Sequence, residues 1–130
     1  MQEEFQYKVD GQLITIPTGK AAGSMTEAQI SVDESFDEII GIEAHEVANG
    51  GSPYYRIGFK DKDKGYLELV HKNSILTDET VPQGSKMRAI NAPISNGRKY
   101  TVQVYNDLVL GTDLRFEIVF TLRRKVIATR

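Results

Sequence analysis

Residues able to do chemistry are sparse in this chain, and their spacing decides what they can do. His45 and His71 are its two histidines, and cysteine is absent. Glu43 and Glu46 lie beside His45, and such groups hold a divalent cation when they converge. On a strand, neighbours alternate between faces, so His45 and Glu46 point apart and no metal is expected. Asp61, Asp63 and Gly65 suggest a calcium loop, because closely spaced oxygens can surround a hard cation. Lys62 and Lys64 set positive charge beside those acids and the other ligand positions are missing. A solvated hairpin tip is the expected reading.

Catalysis finds no better footing. Asp33, Glu34, Asp37 and Glu38 supply carboxylates, but glycoside hydrolysis needs two of them facing each other across a scissile bond. Nothing in their spacing sets two across a cleft. A serine nucleophile would sit in a Gly-x-Ser-x-Gly elbow, which the chain lacks. Gly19-Lys20 is a fragment of a phosphate loop without the glycine spacing or the strand-to-helix context. The chain therefore reads as non-enzymatic, with no cofactor.

Two sets of residues are better suited to contacts. Tyrosine offers a rigid apolar ring with a hydrogen-bonding tip, useful against a sugar or a peptide. Tyr55 shares a strand face with Ile57 and Phe59 and belongs to the core. Tyr54 falls on the opposite face, and Tyr54 with Tyr66 is the candidate ligand surface. The second set is electrostatic. Arg123, Arg124, Lys125 and Arg130 concentrate positive charge at the C-terminus, opposite in sign to the run Asp33, Glu34, Asp37 and Glu38. This asymmetry can orient contacts between copies or partners, or simply be a solvated surface. The net charge of -2 gives no long-range attraction for nucleic acid. Aromatic residues placed to stack RNA bases are also missing, which argues against a nucleic-acid partner.

The elements that must position these groups read as strands. Leu114, Phe116, Ile118, Phe120 and Leu122 alternate with Arg115, Glu117, Val119 and Thr121, so a period of two puts the first set on a buried sheet face. Tyr100, Val102 and Val104 repeat the pattern, as do Tyr55, Ile57 and Phe59. Phe5, Tyr7 and Val9 alternate before Asp10-Gly11, so the N-terminus reads as a hairpin or as an arm for another subunit. Pro17 to Gly23 reads as a hinge or loop. Ala28, Ile30 and Val32 favour a strand over a helix across residues 25–29. The segment from His71 to Gln83 reads as a long connection with a brief helical turn. Asn96-Gly97 signals a hairpin turn, after Pro93 breaks or edges the preceding strand.

A chain of 130 residues fits one β domain. The expected division is an N-terminal hairpin or arm and linker over 1–23, then a body over 24–130 ending in a basic arm. The expected fold is an all-β, two-layer antiparallel β-sandwich, jelly-roll-like or immunoglobulin-like, with a small β-barrel as the alternative. No membrane-spanning run and no signal peptide are read from the sequence, so a soluble or particle-borne protein is expected, in a compartment left open. Free β-edges must be covered, and arms exchanged between copies would cover them. The expected function is accordingly a homo-oligomeric structural component of a virion or other extracellular particle. The alternative is a carbohydrate- or peptide-binding module.

Overall fold

The alternating rows are realised as strands throughout. A computed structural model describes residues 2–51, 54–62, 64–77 and 86–128. Among them lie β1 (Gln2–Ile16), β2 (Ser24–Ile30), β3 (Glu38–Asn49), β4 (Tyr55–Lys60), β5 (Gly65–His71), β6 (Leu76–Thr77), β7 (Arg88–Pro93), β8 (Tyr100–Asn106) and β9 (Leu114–Ala128). One sheet runs β1-β9-β3, with β7 and the short β6 both pairing with β3. The other runs β2-β8-β4-β5.

The pairing is nested. β1 pairs with β9, β2 with β8, β3 with β7 and β4 with β5, all antiparallel. A chain that pairs its ends first and its middle last is one long hairpin rolled over itself. This is the jelly-roll form of the two-layer sandwich. The immunoglobulin-like order and the closed barrel are both set aside by it.

The core lies between the sheets. On β9, Leu114, Phe116, Ile118, Phe120 and Leu122 point inward and are fully buried. They meet Tyr55, Ile57 and Phe59 of β4 and Tyr100 and Val102 of β8 in one apolar cluster. Phe59 is at its centre, with ring centroids 5.1 Å from Phe120 and 5.4 Å from Tyr100. The strand expected over Tyr55 to Phe59 and the inward direction of Tyr55 are as the sequence suggested.

Three local expectations are corrected. First, β1 runs through Asp10-Gly11 without a turn, so no N-terminal hairpin forms. The whole strand is in unbroken register with β9, from Gln2 opposite Ala128 to Ile16 opposite Leu114, and this long ladder outweighs the local turn signal. Gly11 continues the strand, and a Cβ there would meet only the exposed Glu117 side chain, 3.1 Å from its Cδ. Second, the segment 17–23 is a loop, as one reading had it, but one tied down rather than hinge-like. Gly19 N donates to Leu110 O at 2.9 Å, Leu110 N to Lys20 O at 3.0 Å and Gly23 N to Asn106 O at 2.8 Å. Buried Asn106 adds bonds from its Nδ2 to Ala21 O at 2.7 Å and Leu108 O at 2.9 Å. Third, Asn96-Gly97 is a turn, with φ 76° at Gly97, but it joins β7 and β8 across the two sheets and makes no hairpin. Tyr100 anchors that crossing by donating its hydroxyl proton to Pro93 O. The connection after His71 contains a 3-10 turn, Lys72–Ser74, while residues 78–85 lie outside the described residues.

Two outcomes follow from this packing. Phe59→Ala removes the ring that joins the sheets and is expected to lower stability by about 3 to 5 kcal/mol, read as a lower urea midpoint. Deleting residues 1–16 removes buried Ile14 and Ile16 together with the flank of β9, so circular dichroism is expected to show an unfolded chain.

Candidate functional site

β1 carries apolar side chains on both of its faces. Its even row ends in Ile14 and Ile16, which enter the core. Its odd row, Phe5, Tyr7, Val9 and Leu13, faces away and is 44%, 59%, 68% and 59% exposed. β1 is also the outermost strand of its sheet, and among the described residues no strand pairs with its far edge. The edge has neither an internal proline nor a bulge. A long edge without these protections presents unpaired backbone donors and acceptors to a further strand.

The basic end belongs to the same region. The β3–β9 pairing begins at Glu38 opposite Arg123, and, among the described residues, 124–128 of β9 pair with β1 alone. Here the acidic run and the basic run meet within one chain. Arg123 donates through Nε to Glu38 Oε1 at 2.7 Å, and its guanidinium lies 4.6 Å from the centre of the Phe5 ring. The Glu38 hydrogen bond pushes the Arg123 pKa up. Arg124 donates to Gln6 Oε1 at 2.7 Å and covers the Phe36 ring at 4.9 Å. Lys125 donates its backbone N–H to Asp37 Oδ2 at 2.8 Å.

The remaining acids are engaged as well. Asp33 accepts from Lys8 Nζ at 2.8 Å and from Ser35, and these bonds hold its carboxyl well below the usual carboxylate range. Glu34 accepts from Gly97 N at 2.6 Å. The charge asymmetry of the sequence is thus largely answered inside the molecule. Of residues 123–130, expected to form a docking arm, 123–128 are a β9 segment paired with β1, because the ladder supplies their backbone partners. Arg130 lies outside the described residues.

The two candidate tyrosines are not brought together. Tyr54 is more than half exposed and rests edge-on against His71, 5.9 Å between ring centroids. Tyr66 sits at the other end of the β4–β5 ladder, beside the Lys60–Gly65 pair. Its ring packs on Phe59 at 6.1 Å and its hydroxyl donates to Asp61 Oδ2 at 2.7 Å. They form no common platform.

The presumed solvated tip is built around Asp61, which is buried. It accepts from Lys64 N at 2.8 Å, from the Tyr66 hydroxyl, and from Arg98 at 2.8 Å. The Lys64 contact is a local Asx-type turn, legible in Asp61-x-x-Lys64; the Arg98 contact comes from a distant loop and is not. An open depression of about 570 Å³ beside this cluster is lined by Lys62, Arg98, Lys99 and Asn96. Asp63 lies outside the described residues. His45 lies on β3 of one sheet, opposite Glu117 of β9, while His71 ends β5 of the other, its Nδ1 accepting from Asn73 N at 3.3 Å.

No protein-family model matches the chain, and no curated protein does. Among solved structures, a chain of the cyanophage Pam1 capsid asymmetric unit aligns with a TM-score of 0.52 and 11% identity, over 92% of this chain and 86% of that one. The two share a fold. The nucleoplasmin-like N-terminal domain of Drosophila FKBP39 aligns over 94% of this chain and 95% of that one, at 8% identity and a TM-score of 0.39. That score is too low to build on. No helix among the described residues is long and apolar enough to cross a membrane.

The Asp61 cluster carries a pH signature. Burial, then the bond to Asp61, pushes the Tyr66 hydroxyl from 10.0 up to about 12. Between these values the folded chain keeps a proton that the unfolded chain has shed, so stability falls as pH rises through that window. Tyr66→Phe is expected to make the decline between pH 10 and pH 12 shallower, as read from urea midpoints along a pH series.

Proposed function

We propose that this chain is a non-enzymatic structural subunit of a larger assembly, a virion or another extracellular particle, whose copies meet through the β1 side of the sandwich. The observation that carries the reading is the outer row Phe5, Tyr7, Val9 and Leu13 on an unprotected edge strand. Exposed apolar side chains beside an open sheet edge favour addition of another strand, where backbone bonds give affinity and the side-chain row gives specificity. The fold shared with a chain of the Pam1 capsid asymmetric unit agrees with that setting and does not by itself assign the role.

The carbohydrate- or peptide-binding alternative loses the feature that motivated it. Tyr54 and Tyr66 stand at opposite ends of the β4–β5 ladder, and the Tyr66 hydroxyl already serves Asp61. The sequence supplies arms in the form of long strand ends, but each packs first on its own chain. Contact between copies therefore adds to a finished sandwich and requires no exchange of segments.

Multi-angle light scattering across a concentration series tests the assembly reading. The chain is expected to exceed its protomer mass of 14.6 kDa, and Val9→Glu is expected to return it to that mass with its circular dichroism unchanged. A protomer mass at every concentration for the unaltered chain overturns the reading.

A further inference from the structure

The pattern along β1 specifies a partner strand, and the partner that fits is β1 of a second copy. This inference rests on the assembly reading above and gives it a surface, a symmetry and a register. In a sheet continued by antiparallel pairing, residues opposite one another share a face. The outer odd row must therefore meet an odd row, so a two-fold axis must pass through a residue of β1. Sliding by one residue would turn the apolar row onto the wrong face.

We propose that two copies join their β1 edges antiparallel about a two-fold axis at Val9. Val9 then faces Val9 of the second copy, Tyr7 faces Gly11, and Phe5 faces Leu13, so the exposed row covers itself. On the other face Lys8 stands opposite Asp10 at both symmetry-related positions, and Gln6 stands opposite Gln12. Opposite charges placed directly across a pair stabilise it and like charges oppose it.

Neighbouring registers lack this fit. An axis at Lys8 sets lysine against lysine, and an axis at Asp10 sets aspartate against aspartate. An axis at Tyr7 puts Asp10 opposite Glu4. An axis at Gly11 separates Phe5 from Leu13 and Lys8 from Asp10. The internal ion pair of Lys8 with Asp33 at 2.8 Å does not compete, because an ammonium group has three donors. It holds Lys8 on the face where the second copy's Asp10 would arrive. An isologous contact of this kind closes on itself as a dimer and joins the two β1-β9-β3 sheets into one.

Absence of cysteine makes the register directly testable. Directly opposed residues in an antiparallel pair have Cα atoms about 4.5 to 5.5 Å apart, within the range a disulfide spans. Val9→Cys is expected to give a disulfide-linked dimer under mild oxidation, seen on a non-reducing gel. Leu13→Cys alone is expected not to link, since the two copies of residue 13 would lie about 27 Å apart at 3.4 Å per residue. The double variant F5C/L13C is expected to link again. In solution, Asp10→Lys is expected to weaken the dimer about tenfold or more, and K8D/D10K to restore it.

Association by light scattering without a Val9→Cys link, or with equal linking of Leu13→Cys, overturns this register and leaves the assembly reading standing. A protomer mass for the unaltered chain overturns both. Val9 is exposed, so circular dichroism of Val9→Cys is expected to match the unaltered chain, separating a failed contact from a failed fold.

Discussion

Pairing of β9 on both flanks is the constraint on which the rest of the molecule depends. Its inward row supplies five fully buried side chains, while its backbone serves β1 along one side and β3 along the other. A strand in that position has little freedom of register. A slip by one residue would turn Phe116, Ile118 and Phe120 out of the core and break two ladders at once. The second sheet then has one apolar surface to pack against, and Phe59, between Phe120 and Tyr100, closes the contact.

Polar contacts organise the margins of this core. The Asp61 cluster draws Arg98 from one loop onto the β4–β5 turn. At another margin Glu46 accepts from the Tyr55 hydroxyl at 2.6 Å and from Lys72 Nζ at 2.9 Å, so a buried ring and the short helical turn share one carboxylate. Burial and that carboxylate both favour the protonated phenol, pushing the Tyr55 pKa up. Around the chain ends, Glu38 and Arg123, Asp33 and Lys8, and the Asp37 carboxylate with Lys125 N hold the β1–β9 ribbon against the start of β3 and the segment before it. Exposed ion pairs contribute little stability individually. Their consequence here is geometric, because they fix how the ribbon leaves the sandwich.

That geometry bears on association. An arm that ordered only on contact would lose conformational freedom when copies met, and the contact would have to overcome it. β1 is already paired along its length with β9, so its outer edge is preformed. The same preorganisation makes the edge a hazard in a protein that stayed solitary, where lysines, prolines or bulges usually protect such strands. Lys8 is the one lysine within β1, and its ammonium is drawn to Asp33.

Strand periodicity was legible because inward and outward side chains alternate whatever the neighbouring strand is. That physics alone placed Leu114 through Leu122, Tyr55 through Phe59 and Tyr100 through Val104 on buried faces, and favoured a strand after Ser24 over a helix. Local turn chemistry located Gly97 and the Asp61 turn as well. Periodicity carries no information about partners, however, so neither the nested order of the strands nor the crossing after Asn96-Gly97 could be read from it. The Asp10-Gly11 signal misled because a ladder with β9, distant in sequence, outweighed a local preference. Opposite charges were visible at residues 33–38 and 123–125, but only the β3–β9 register brought them together. Apolar residues on both faces of β1 were likewise present in the sequence; tertiary structure decided that Ile14 and Ile16 are buried while Phe5, Tyr7, Val9 and Leu13 stay exposed, because only one face of that strand looks onto the second sheet.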